Sequence, residues 1–336
     1  MTDPVAEAPR GDDSLIPFQL ERPQIRGRFL RLDRTLQTIL TQHAYPPAVS
    51  ALVAEAALLT GLIGQAIKLR WRFSLQVRAE GPVRLIATDY FAPEAEGAPG
   101  RMRAYARFDA AELAAAGSTP GDLLGGGVLG VTIDQGRDMA PYQGITPLTG
   151  GTLTEAAETY FAQSEQLATR FLVLSAAAQA PGGSVGWRGA GLMLQLLPEA
   201  APGQAPDAPT GEEGLMTADD VAAMGSREDD WARVNILAAT VEEHEMIGPH
   251  VTPVQVLTRL FHEERARVFA PQAVRFGCTC SAERVRAAMA MYSDKDIASM
   301  TDASGAVTAD CQFCSAHYRF DPGELGFEAE ARRGGG

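Results

Sequence analysis

"FSLQVRAEGPVRLIATDYF", residues 73 to 91, alternates Phe73, Leu75 and Val77 with polar neighbours, breaks at Glu80-Gly81-Pro82, and continues in a second strand-like run. Alternation of period two marks a strand with one buried face, and a Gly-Pro break between two such runs marks a hairpin. Around it, "RMRAYARF", "GVLGVTID", "RFLVLSAAA" and "GLMLQLLP" read as further short strands. Thr152, followed three residues later by Glu155, has the form of a capping box opening a helix over "TEAAETYFAQSEQ". Strands that follow one another without regular helical crossovers predict an α+β fold, with a mixed core of antiparallel strands over residues 15–197.

The most apolar stretch, "ALVAEAALLTGLIGQAI", contains Glu55 and Gln65, while Val49, Leu52, Val53, Ala56, Leu59 and Ile63 share one face at helical spacing. It is expected to be a buried amphipathic helix, and no membrane partner is expected. Residues 1–14 are acidic, contain proline and lack an apolar run, so they read as a disordered tail and not as a signal peptide. A cytoplasmic location follows as the expectation. The net charge of -13 repels phosphate backbones and argues against a nucleic-acid partner.

With 336 residues, 46% of them apolar, the chain can fill one sizeable core and carry an appended module. A linker is expected over 198–270. Its first part, 198–214, is rich in Pro, Ala and Gly, with four acidic residues and no basic ones, and reads as flexible. Its second part, 215–270, reads as helical through "WARVNILAATVEEHEMI" and "TPVQVLTRLFHEERARVF". Thr252 is the expected N-cap of the latter, with Pro253 at the first helical position and Gln255 completing the box. Leu257, Leu260, Phe261 and Val268 would face a partner surface.

Every cysteine lies in the segment 271–322, and 323–336 reads as a frayed tail. Cys278-x-Cys280, thirty intervening residues and Cys311-x-x-Cys314 supply four thiolates as two close pairs, the ligand count of a tetrahedral structural zinc. Permanent disulfides and inert free thiols are the alternatives. The segment's own core is small, with Val285, Met289, Ile297, Met300, Val307, Phe313 and Tyr318 as its candidates, so a structural zinc contributing roughly 10–16 kcal/mol would decide whether it folds.

Other motifs carry less. "GGGVLG" (125–130) matches a dinucleotide fingerprint formally, but "VTID" after it is strand-like where a helix is required. "HEERA" has Ala266 where a zincin needs its second histidine, which leaves His262 and Glu263 on a solvated helix face. "CQFC" lacks the βαβ surroundings of a thioredoxin-like motif. His317 is close to the cysteines in sequence and suits a supporting or packing role. No arrangement of catalytic residues stands out, and the chain is not expected to be an enzyme.

Taken with their order and spacing, the two cysteine pairs followed by "HYRF" resemble the heat shock protein 33 family of redox-regulated holdase chaperones. The resemblance extends to "QGRDMAPYQGITPL", "YFAQSEQLATR" and "LTRLFHEERARVF". It implies an α/β core, a helical linker folded over it and a C-terminal zinc switch, with Cys278, Cys280, Cys311 and Cys314 holding one zinc ion in the reduced state. It also implies that oxidation forms disulfides, here expected as Cys278 with Cys280 and Cys311 with Cys314, and that zinc loss unfolds switch and linker. A homodimer would then bind unfolding client proteins without ATP and later pass them to ATP-dependent chaperones. A constitutive zinc-ribbon adaptor and a thiol oxidoreductase are the competing readings.

Overall fold

The hairpin read from residues 73–91 is present in the computed structural model, which describes residues 12–21, 24–137, 139–148, 151–179, 185–198 and 218–327. The stretch 199–214 and residues 1–11 lie outside the described residues. Two compact units are found, one from Met1–Leu40 with Tyr45–Phe276, the other from Thr41–Ala44 with Gly277–Gly336.

The chain begins with β1 (Ser14–Leu20), β2 (Ile25–Leu32), α1 (Arg34–Thr41) and α2 (Pro47–Ala66). It continues with β3 (Arg72–Ala79), β4 (Val83–Phe91), β5 (Gly100–Phe108), α3 (Ala110–Ala115), α4 (Pro120–Leu124), β6 (Gly127–Asp134) and β7 (Tyr142–Leu148). Next come α5 (Leu153–Tyr160), β8 (Thr169–Gln179) and β9 (Val185–Leu196), then α6 (Ala218–Ala239), α7 (Glu243–Ile247) and α8 (Pro253–Phe261). Two short strands, β10 (Ala266–Val268) and β11 (Gln272–Phe276), end the first unit.

One sheet runs in the order β7-β6-β3-β4-β5-β11-β1-β2-β9-β8, with β10 added on β1. Its pairings are antiparallel except β11 with β5. β11 therefore joins two antiparallel halves, through Val274–Phe276 on β5 and Gln272–Ala273 on β1. The glycine run before β6 is a turn, as its sequence suggests: Gly127 has φ +140°, and a Cβ there would stand 2.2 Å from the Arg78 carbonyl oxygen. The Thr152–Glu155 capping box forms and opens α5.

α2 is buried on nearly every side, from Val49 to Gly64, and not on one face as its periodicity suggests. It is long and apolar enough to cross a membrane, but it packs against β2–β5, β8, β9 and α5 and serves as the core helix.

The other face of β1, β2 and β9 is also apolar. Ile16, Phe18, Phe29, Leu192 and Leu194 are covered by Val234 and Ala238 of α6, Met246 of α7, and Val256, Leu257 and Phe261 of α8. Phe18 stacks on Phe261 at 5.8 Å between ring centroids. Each large side chain buried this way stabilises the cover by about 1.5–3 kcal/mol relative to exposure.

Several sequence expectations need correction here. The tail does not extend to residue 14: Ser14 starts β1, and the Asp13 carboxylate accepts the N–H groups of Asp33, Arg34 and Thr35 where α1 begins. "WARVNILAATVEEHEMI" is two helices, interrupted between Thr240 and Glu242. α8 stops at Phe261, because Arg265 turns left-handed (φ +52°) and the chain enters β10, where Val268 pairs with Phe18. Leu257, Leu260 and Phe261 are buried as expected of a helix face, whereas Val268 belongs to a strand. Residues 272–276 belong to the core sheet, so the cysteine unit starts at Gly277 instead of residue 271.

Between α7 and α8 the backbone passes directly over Arg31 of β2, which is 1% exposed. Its guanidinium donates to the carbonyl oxygens of Met246 (2.9 Å), Glu245 (2.8 Å) and Val251 (2.7 Å). Gly248 has φ +78°, and a Cβ on it would meet Arg31 Nη1 at 2.8 Å. Gly248→Ala is expected to weaken the cover made by α6–α8 by about 1–3 kcal/mol. The check is amide exchange of residues 243–261, which should accelerate while β3–β6 stay protected.

Candidate metal centre

The second unit contains α9 (Ala282–Met289), α10 (Asp294–Met300), and a hairpin of β12 (Val307–Asp310) and β13 (His317–Phe320). Its buried apolar core is Ile297, Val307, Phe320 and Leu325, with Val285, Met289, Tyr292 and Tyr318 packed partly against it. Of the sequence candidates, Met300 is exposed instead, while Phe320 and Leu325 are additions. Leu325 lies in what the sequence reading assigns to the tail. It is pulled into the core by the 3-10 turn Pro322–Glu324. So small a core among the described residues is too little to hold such a unit without a further staple.

The cysteines meet beside this core. Cys278 and Cys280 lie between β11 and α9, where Ser281 accepts the Arg284 N–H as the α9 N-cap. Cys311 follows β12 directly, and Cys314 stands in the turn to β13. That turn is closed by the Cys311 N–H on the Ala316 carbonyl at 2.9 Å and the Ser315 N–H on the Cys311 carbonyl at 2.8 Å, with Ser315 left-handed at φ +53°. The turn aims N–H groups of Phe313 and Cys314 at the Cys311 sulfur and that of Ala316 at the Cys314 sulfur.

All four Sγ atoms lie within 4.8 Å of one another, with Cys278–Cys311 at 3.6 Å and Cys280–Cys314 at 3.3 Å. Four sulfurs at about 2.3 Å from a tetrahedral zinc would be about 3.8 Å apart. A disulfide needs about 2.05 Å, and the four are free thiols. The donor set and its spacing fit a tetrathiolate zinc.

Burial pushes the Cys311 thiol up, against its two N–H donors, and burial followed by the neighbouring thiols pushes Cys314 up further. A divalent cation reverses this by holding the thiolates, so loading releases protons and weakens as pH falls.

Two neighbours separate on inspection. The Tyr318 hydroxyl donates to Cys280 Sγ at 3.1 Å, and that bond is the first cause of its own shift up to about 12. His317 points elsewhere: its Nδ1 lies 2.7 Å from Asp310 Oδ1, on an exposed edge. Sequence reading placed Tyr318 in the core and missed its bond to sulfur. Its position four residues after Cys314, returning along β13, is the signal that could have found it. His262 and Glu263 are solvent-exposed, in the turn after α8 rather than on a helix. Their neighbour Glu264 is buried and pairs with Arg233 of α6 at 2.8 Å.

The sequence matches the family profile described as Hsp33 protein over residues 13–321. The chain belongs to the Hsp33 family. A 33 kDa chaperonin of Caulobacter vibrioides is 36% identical over 327 residues, covering 96% of this chain and 99% of the relative. The 33 kDa chaperonin of Nitrosococcus oceani is 32% identical, with 92% and 91% covered. The crystal structure of the Thermotoga maritima 33 kDa chaperonin shares the Hsp33 fold with it, at a TM-score of 0.72 and 17% identity, covering 96% of this chain and all of that one.

Replacing the sulfur neighbours tests the centre. Tyr318→Phe is expected to weaken zinc retention against a chelating dye by up to about tenfold, because outer partners of metal ligands orient and tune them. His317→Ala should leave it unchanged. Full chelation should deprotect the amides of β12 and β13 while those of β3 and β4 keep their exchange rates.

Proposed function

We propose that this protein is a redox-regulated, ATP-independent holdase whose zinc centre keeps a client-binding surface covered until it is oxidised. The observation that carries the proposal is the convergence of four thiols in a unit whose described residues form only a small buried apolar core. Such a unit exists as a folded body only while its ligands hold a metal.

Cys278, Cys280, Cys311 and Cys314 would hold the zinc, which supplies structural cross-linking and keeps the sulfurs as thiolates. Thiolates are the nucleophiles that peroxide oxidises. For each pair, one thiolate attacks the peroxide O–O bond, forming a sulfenic acid and releasing hydroxide that is protonated to water. Its partner then attacks the sulfenic sulfur, forming the S–S bond and releasing hydroxide again. Both pairs together consume two peroxides and four protons, and yield two disulfides, four waters and free Zn²⁺. Pairing of Cys278 with Cys280 and of Cys311 with Cys314 closes the shortest loops. Reaching it from the tetrahedral arrangement takes local rearrangement.

The step from metal loss to client binding runs along the chain. Cys278 follows β11 by one residue, and β11 follows α8 and β10. Once the cysteine unit is disordered, β11 loses the folded unit that follows it, and the proposal is that β11 and β10 then loosen from the sheet and free the segment before them. Release of α6–α8 would then uncover Phe18, Phe29, Leu192 and Leu194, a contiguous apolar face of the kind that captures unfolded chains. Capture without turnover needs no catalytic group. Oxidised protomers would associate as dimers, and clients would pass to ATP-dependent chaperones in the cytoplasm.

Light scattering of a thermally unfolding client, with a chelating dye reporting zinc, tests the reading. Reduced zinc-loaded protein should leave aggregation unchecked, and protein treated with peroxide at raised temperature should suppress it as zinc appears. Zinc retained in both conditions without suppression would return the protein to the adaptor reading. Peptide mapping that found mainly Cys278–Cys311 or Cys280–Cys314 would overturn the pairing.

A further inference from the structure

Two arginines that the zinc chemistry does not use grip the linker by its backbone. Arg31 of β2 donates to the carbonyl oxygens of Glu245, Met246 and Val251. Arg188 of β9 reaches the Ile247 carbonyl with Nε and Nη2, both at 3.3 Å. Three of these four carbonyls belong to the last residues of α7, where a helix leaves its acceptors unpaired and its dipole is negative.

The pair is built into the core. Asp12 lies between the two guanidiniums, 2.7 Å from Arg188 and 3.6 Å from Arg31, and Asp33 is 2.8 Å from Arg188. These carboxylates sit at the start of β1 and after β2, so they remain with the sheet whatever the linker does. They fix the forks and balance their charge. Arg31 also lies over the Phe29 ring at 5.7 Å, at the border of the apolar face.

Among the described residues, each contact that α7 and its following turn make with these guanidiniums goes to a main-chain oxygen. Glu245, whose carbonyl oxygen Arg31 takes, turns its carboxylate to Arg259. The linker is thus recognised by backbone and apolar surface and not by charged side chains. A protein that must hold many unrelated chains needs that kind of recognition.

We infer that Arg31 and Arg188 form a receptor for main-chain carbonyls, filled by the linker in the closed state and by client segments once the linker leaves. The client class it fits is a partly unfolded segment with an apolar face ending in a turn of unpaired carbonyls. The inference rests on the reading of the linker as a releasable cover. It adds the polar half of the uncovered site.

The test uses full-length Arg31→Met and Arg188→Lys proteins, the second keeping the charge beside Asp12 and Asp33 but not the fork. The probe is a fluorescein-labelled synthetic peptide with the sequence of residues 242–262, followed by anisotropy, with peroxide-driven zinc release and thermal melting as folding controls. Oxidised wild type should bind it, and each variant about tenfold more weakly, with client capture falling in parallel. Reduced variants should exchange the amides of 243–261 faster than wild type.

Arginines that only brace the closed linker would give leaky reduced variants whose oxidised forms bind peptide and client like wild type. That result would overturn the inference, as would unchanged exchange in the reduced variants. Arginine-dependent peptide binding in a wild type that releases zinc but captures no client would support the receptor and remove the holdase reading.

Discussion

A sheet with two apolar faces has to be covered twice. α2 takes one face of this sheet, and over β1, β2 and β9 the helices α6–α8 take the other. The two covers differ in how they are held. α2 is buried nearly all round and continuous with the core, whereas α6–α8 come late in the chain and attach through one apolar stripe and the hydrogen bonds of Arg31 and Arg188 to α7 and its following turn. Release of the second cover, on the proposed function, would leave α2 and its contacts with the sheet in place.

In the sequence the thiol centre follows that second cover and the two short strands after it. β11, which joins the two halves of the sheet, ends one residue short of Gly277 and two short of Cys278. A unit with so small a core would be stabilised chiefly by a metal on its four thiols, and oxidation of the sulfurs would then change order as well as charge. In the proposed function the same four atoms would act as structural ligands and as sensor.

Local features were legible in the sequence. The 73–91 hairpin, the Thr152–Glu155 and Thr252–Gln255 boxes and the cysteine pairs each lie within a short span, where spacing alone dictates geometry. What was missed is non-local. Arg31 and Met246 are 215 residues apart, and nothing near either announces the bond. Asp13 reads as part of an acidic tail until the three N–H groups it caps are seen, and "HEERARVF" continues a helical pattern although β1 draws its end into a strand. Tyr318 looks like core because β13 also carries Phe320, and only the fold brings its hydroxyl to Cys280.

The account depends on metal loss and linker release being one event. The most direct measurement is hydrogen exchange of residues 231–261, followed by mass spectrometry through a peroxide titration while a chelating dye records zinc. Deprotection of α6–α8 in step with zinc release, with β3–β6 unchanged, is the predicted result. Complete zinc release with α6–α8 as protected as in the reduced protein would contradict it.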